Sequence, residues 1–189
     1  MKYLGRSSLS YGYPMPVLMA ATYNEDGSVN VMNLHEATRT VEGDMALCIG
    51  ANKKTYKNIE KRRAFTIALI DRKLLAAVDY FGTVSGFRAP GKFARTGLKA
   101  VKSQHIDAPV IDGSLLVIEC ELKEFVRTSG FSTVIGSIVD VAADESVLNE
   151  AGKIDIRKAG MILYNSFDNS YMSLGEKVGK AWEEGRKYL

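Results

Sequence analysis

The sequence predicts a mainly β chain of the β-rich α+β kind, an antiparallel barrel or closed sheet with helices on its rim. Three observations predict it. Six or seven short runs are apolar or alternate with a period of two, the links between them have hairpin composition, and only two or three stretches carry a helical period. Strands and helices do not alternate strictly enough for a doubly wound sheet.

Residues 15–23 are apolar or strand-favouring, Asn24-Glu25-Asp26-Gly27 is a turn by composition, and residues 28–32 resume an extended pattern, which together read as a β-hairpin. Residues 45–50 form a short continuous apolar run, the mark of a strand covered on both faces. Asn52 is placed to cap the helix that follows, where Tyr56 and Ile59 share one side and basic residues fill the rest. Residues 64–70 are strand-like again, and residues 72–81 set Leu74, Leu75, Val78 and Phe81 on one helical face.

Residues 82–97 hold four glycines and one proline, so they read as a long loop with at most one helical turn around Lys92-Phe93-Ala94. Long ordered loops are commonly functional. In residues 114–126, Leu116, Ile118, Cys120 and Leu122 alternate with Val117, Glu119, Glu121 and Lys123, a half-buried strand whose partner is residues 131–143. That partner is apolar on both faces for much of its length, which favours a second copy packed on one of them and hence a homodimer. Residues 149–156 are turn-rich, residues 161–164 make a short strand, and residues 175–189 read as a polar terminal helix around Val178 and Trp182.

The 189 residues fit a single domain over 1–189, long enough to bury a core without disulfides or a metal. Hydrophobic residues make up 46% and charged residues 25%, which excludes fibrous, collagen-like and disordered classes. The longest apolar stretch is too short to span a bilayer and no export leader opens the chain, so a cytoplasmic protein is expected. Cys48 and Cys120, each inside an apolar run, are expected to be buried free thiols in a reducing compartment.

The net charge of +3 is too small for a nucleic-acid-coating protein. Its distribution is uneven, because Lys53, Lys54, Lys57, Lys61, Arg62 and Arg63 are opposed within residues 53–63 only by Glu60. That run is either a solvated helix face or an anion site built from a helix start and its adjacent Lys53, with Thr55 adding a hydroxyl donor. The two histidines, His35 and His105, lie near no cysteine, so no familiar metal site is expected. Nucleophile-elbow, Walker A and G-x-G-x-x-G patterns are absent, and no carboxylate pair is evident. With no catalytic side chain in view, any enzyme chemistry belongs to a cofactor.

Three segments together resemble the flavin reductase-like family of FMN-binding split barrels, which includes flavoredoxin. They are residues 27–32 continuing through 33–38, Ile49-Gly50-Ala51-Asn52-Lys53-Lys54-Thr55 running into Asn58-Ile59, and Val84-Ser85-Gly86 with Lys92-Phe93 and Gly97-Leu98. The likeness continues through Ile135-Gly136 to Tyr164 and Tyr171-Met172-Ser173-Leu174-Gly175, and departs from the family pattern at Gly91, at Glu42-Gly43-Asp44 and in Phe131-Ser132-Thr133.

The resemblance implies an antiparallel split β-barrel, a homodimer, and electron transfer from NAD(P)H through FMN to a small-molecule or protein acceptor. It implies that Asn30, Met32, Asn33, Ala37 and Thr38 line the flavin ring and that Asn52, Lys53 and Thr55 hold the phosphate, with Ser85 and Lys92 completing the site. On the residues alone, Asn30 and Asn33 serve equally as hairpin hydrogen-bonders, and Lys92 either approaches the flavin or fixes the glycine-rich loop. His35 is a proton donor near the ring or a structural histidine, and Tyr164, Tyr171 or Trp182 could stack on the ring. Two rivals remain, a flavoredoxin-like carrier not reduced directly by NAD(P)H and a small nucleic-acid-binding barrel that uses the 53–63 helix.

Overall fold

The structure, a computed structural model, describes residues 1–3, 5, 8, 13–128 and 132–189. Proline 16 has no N–H with which to continue a ladder, and the expected first strand divides at Val17. The pieces are β1 (Met15–Pro16) and β2 (Leu18–Tyr23), and β2 turns through Gly27 into β3 (Val29–Leu34). After β4 (Ala37–Arg39) and β5 (Met45–Cys48) comes helix α1 (Lys54–Arg62), then β6 (Ala64–Leu69) and helix α2 (Leu75–Thr83). A small hairpin, β7 (Ala100–Lys102) and β8 (Pro109–Ile111), precedes the long strands β9 (Leu116–Arg127) and β10 (Ser132–Ala143). The last strands are β11 (Ile162–Asn165) and β12 (Ser170–Ser173). Phe131, where the sequence reading began β10, lies outside the described residues.

Seven strands make one antiparallel sheet in the order β3-β2-β6-β9-β10-β5-β4, curled into a half-barrel. A separate three-stranded sheet joins β1, β11 and β12. The period of two in β2 sorts its side chains between two cores. Leu18 and Ala20 face the barrel interior with Leu47, Phe65, Ile67 and Val134, and Tyr56 and Ile59 of α1 close it. Met19 and Ala21 face outward under Leu74, at the start of α2, and Val78 and Phe81 of α2, joined by Ile111 and Ile162. Each of the larger of these side chains, Leu, Ile, Val, Phe or Met, contributes about 1.5–3 kcal/mol when fully buried.

Helix α1 forms on the stripe Tyr56 and Ile59 and ends at Arg63, which takes the left-handed conformation (φ 62) while its N–H returns to Ile59 O. Its start differs from expectation. Lys53, not Asn52, is the N-cap, and no side chain caps it. Asn52 sits exposed in the preceding turn.

Two further expectations are corrected. Residues 175–189 form no α-helix, only a 3₁₀ turn over Glu184–Tyr188. Gly175, Gly179 and Gly185 interrupt the segment, and Val178 and Trp182, which would share one helical side, are each 95% exposed, so no burial supports a short helix. Cys120 is buried as expected but Cys48 is exposed, because it ends β5 on the face turned away from the barrel interior. Burial pushes the Cys120 thiol up to about 12, leaving it inert. Among the described residues no helix is long and apolar enough to cross a membrane.

Gly136 marks a bulge where β10 slips by one residue against β9. A Cβ there would overlap Phe65 Cζ and come within 3.2 Å of Cys120 Cβ. Gly136→Ala should therefore cost about 1–3 kcal/mol in urea unfolding, and a loss below about 0.5 kcal/mol would show that Phe65 has room to move.

Candidate functional site

The start of α1 is pinned to the β2–β3 hairpin by a set of buried polar side chains. Thr22, Asn24, Asn30, Thr55 and Asn58 are each no more than 5% exposed, so they need partners. They satisfy one another. Asn30 Nδ2 donates to Thr55 Oγ1 at 2.9 Å and more weakly to Thr22 Oγ1 at 3.3 Å. Asn58 Nδ2 donates to Thr22 Oγ1 at 3.0 Å and to Asn24 Oδ1 at 2.9 Å. Because Thr55 Oγ1 accepts from Asn30, its own proton remains available to another acceptor.

Beside this network lies an open cleft of about 220 Å³. Asn30, Met32 and Asn33 of β3 form its floor, Lys53, Lys54 and Thr55 one wall, and residues 81–86 with Arg88 and Lys92 the other. The second wall lies close because residue 86 is glycine. A Cβ there would overlap Asn30 Oδ1 and stand 3.1 Å from Lys54 Cβ.

The basic run of α1 divides by partner. Lys57 pairs with Glu60, Lys61 with Glu25, and Arg62 with Asp107, while Glu60 is shared with Arg127. Among the described residues, Lys53, Lys54 and Arg88 form no ion pair, and Lys54 Nζ stands 5.4 Å over the Phe87 ring. These three cations gather where α1 begins without a side-chain cap and with no acidic residue in its first turn. Free amides, the positive end of the helix dipole and unpaired cations together make an anion site.

Lys92 is 3% exposed. Its ammonium donates to Phe81 O at 3.0 Å and Val84 O at 2.9 Å, carbonyls at the end of α2 where the dipole is negative. Burial, and after it the charge of Lys53, pushes Lys92 down to about 8. The Asn33 Oδ1 atom is buried without a partner, an acceptor that a ligand N–H can satisfy.

A family model described as a flavin reductase like domain matches residues 10–169. The chain belongs to the flavin reductase-like family. Flavoredoxin of Desulfovibrio vulgaris (Miyazaki F) is 32% identical with a TM-score of 0.90, over 98% of this chain and 100% of that one, so only about four residues here fall outside the match. Nitrilotriacetate monooxygenase component B from Bacillus cereus is 17% identical with a TM-score of 0.83, over 95% of this chain and 100% of that chain. An FMN-binding protein from Thermus thermophilus is 20% identical with a TM-score of 0.76, over 95% and 96%. The last two are likenesses of fold. A protein of Aeropyrum pernix is 29% identical over 49% of this chain, and the match spans only 35% of that protein.

Within this flavin reductase-like fold, Asn30, Met32, Asn33, Lys53, Thr55, Ser85 and Lys92 meet around one cleft. Asn52 does not reach it. Ala37 and Thr38 line a different, mainly apolar groove of about 590 Å³ with Met15, Pro16, Ala46 and Cys48. His35 opens on that same groove and stacks on Tyr164 with ring centroids 4.4 Å apart, and burial lowers its pKa. Tyr171 donates to Asp79 Oδ1 at 2.6 Å, and Trp182 is exposed far along the terminal segment. Sequence reasoning gave Lys54 no role beyond the basic run and overlooked Arg88. Both were legible as cations inside segments already singled out, the helix start and the glycine-rich loop.

Lys92 thus fastens the loop wall of the cleft. Replacing it with Ala strands two acceptors and should lower stability in urea by about 2 kcal/mol. A change under about 0.5 kcal/mol would mean that water serves Phe81 O and Val84 O equally well.

Proposed function

We propose that the cleft holds FMN and that the chain passes electrons from NAD(P)H through it to a small-molecule or protein acceptor. One observation carries this reading. Lys53, Lys54 and Arg88 stand unpaired around an uncapped helix start, beside a Thr55 hydroxyl whose proton is free. A phosphate satisfies all of these groups at once. The orphaned Asn33 Oδ1 and the flat floor of β3 fit a planar heterocycle that carries an N–H.

Bound FMN supplies reversible hydride and electron transfer. The α1 amides, Lys53, Lys54 and Arg88 hold the phosphate, and Thr55 donates to it. Asn33 would accept from the flavin's N–H and Met32 would line its ring, with Lys92 and Ser85 keeping the opposite wall in place. The surrounding cations favour the negative charge that reduction adds. At about 220 Å³ the cleft is smaller than the roughly 300–1,000 Å³ usual for ligand pockets. A homodimer in which the second copy closes the site accounts for the shortfall, and it offers Ala37 and Thr38 a place near the ring.

A second reading is favoured by the likeness to flavoredoxin, namely a carrier that exchanges electrons with a protein and is not reduced by NAD(P)H. Anaerobic mixing with NADH and with NADPH separates the two. Prompt bleaching of bound flavin establishes the reductase, whereas bleaching by dithionite alone establishes the carrier.

FMN should bind at least about tenfold more tightly than riboflavin, which lacks the phosphate, and Lys53→Ala should weaken FMN about tenfold while leaving riboflavin unchanged. Equal affinities in a fluorescence titration would remove the phosphate from this corner.

Lys92 is charged below about 8 and neutral above it. The charged form attracts the anion, so FMN affinity should fall as pH rises through 8, and Lys92→Met should flatten that profile. A wild-type profile already flat between about pH 7 and 9 would show that Lys92 exerts no field on the ligand.

A further inference from the structure

The acceptor that Asn33 offers at the cleft takes its direction from two residues that stand behind it. An asparagine amide has a donor end and an acceptor end of nearly the same shape, so packing alone does not choose between them and hydrogen-bond partners must. Asn33 is held closely, since a Cβ on Gly82 of α2 would stand 3.1 Å from its Cβ and 3.2 Å from its Nδ2. Its side chain bonds to the hydroxyl of Tyr171 on β12. Oδ1 is buried without a partner, so Nδ2 makes that bond.

Tyr171 receives the Asn33 proton because its own proton goes elsewhere. It donates to Oδ1 of Asp79 on α2 at 2.6 Å, a short bond of the stronger, charge-assisted kind. Burial, and after it the bond to Asp79 and its charge, pushes the Tyr171 hydroxyl up to about 12, so the proton stays on it. A hydroxyl has only one proton to give. With that proton committed to Asp79, the Tyr171 oxygen accepts, Asn33 Nδ2 donates to it, and Oδ1 is left for the cleft. The reversed amide would set two acceptors face to face, or oblige Tyr171 to abandon Asp79. Tyr171 and Asp79 themselves stand outside the cleft lining.

We infer that Asp79 and Tyr171 are positioning residues that fix the polarity of the Asn33 amide, so that the site selects a flavin whose ring N–H is intact. The oxidised isoalloxazine carries one ring N–H, at N3, and a fixed buried acceptor is satisfied by that group. A ring alkylated there strands Oδ1, and sites built to bond an N–H reject analogues that lack it. The inference rests on the flavin reading proposed above and adds to it the relay behind Asn33.

Fluorescence titrations of the full-length protein with FMN, N3-methyl-FMN and riboflavin separate this relay from the phosphate site. FMN should bind at least about tenfold more tightly than N3-methyl-FMN. Tyr171→Phe keeps the ring and removes the hydroxyl, which frees the amide to turn. The preference for FMN over N3-methyl-FMN should then fall at least about threefold, while the preference for FMN over riboflavin stays at its wild-type value. Asp79→Ala leaves the Tyr171 hydroxyl in place but releases its proton toward Oδ1, and should lower the first preference in the same way. A loosened fold would weaken all three ligands together and leave both ratios unmoved. Equal affinities for FMN and N3-methyl-FMN in the wild type, or a ratio unchanged in Tyr171→Phe, would overturn the relay and leave the phosphate site standing. Equal affinities for FMN and riboflavin would count against the phosphate site alone, and the N3 comparison then decides the relay on riboflavin and N3-methylriboflavin. Failure to bind any flavin would overturn both.

Discussion

Asn30 reaches from the floor strand β3 to the first turn of α1, and the position of every other group at the cleft depends on that link. Its amide joins Thr55 and Thr22, and Asn58 ties Thr22 to Asn24 in the hairpin turn. Losing any member leaves its neighbours as buried, unpaired polar atoms, which costs more than the bond itself contributes. The hairpin and the helix start are thereby locked as one unit before any ligand arrives. From the opposite side, Lys92 fastens the end of α2 and the loop that follows it. A site held between two such clamps is pre-organised on rigid elements.

Charge placement follows from the same geometry. The buried stripe of α1 fixes which basic residues point away from the body, and those find Glu25, Glu60 and Asp107. Lys53 and Lys54 precede the stripe and face the cleft, where Arg88 arrives from the loop. Paired surface charges are worth little, at most about 1 kcal/mol each. Unpaired cations around free helix amides favour an anion more strongly. This division argues against the nucleic-acid reading of the basic helix, since Lys57, Lys61 and Arg62 are already compensated inside the chain and Lys53 and Lys54 line the cleft.

The strands were legible because burial leaves its mark on the sequence, as short continuous apolar runs in β2 and β6, which are covered on both faces, and as a period of two in β9. The loop of residues 82–97 was legible from its glycines, and Gly86 shows why, since any side chain there would collide with Asn30. Periodicity could not show that Glu119, on the polar face of β9, would be buried against His105 at 2.7 Å. Nor could it show that Lys92 would turn to carbonyls of α2, a pairing decided by tertiary approach and not by spacing. Cys48 misled because a short apolar run does not reveal which of its residues ends the strand facing out. Residues 175–189 misled because Val178 and Trp182 are spaced as on one side of a helix yet stay exposed, and spacing without burial does not hold a short helix. The family resemblance added the ring-side residues, and the structure draws Asn30, Met32 and Asn33 together while setting Ala37 and Thr38 in a neighbouring groove.

The central claim is that the uncapped start of α1 is a phosphate site. A crystal structure of the protein with FMN tests it most directly. The account predicts the phosphate within hydrogen-bond distance of the Lys54 and Thr55 amides and the Thr55 hydroxyl, with Lys53 or Arg88 alongside. FMN bound with its phosphate elsewhere, and this corner filled only by water, would contradict it.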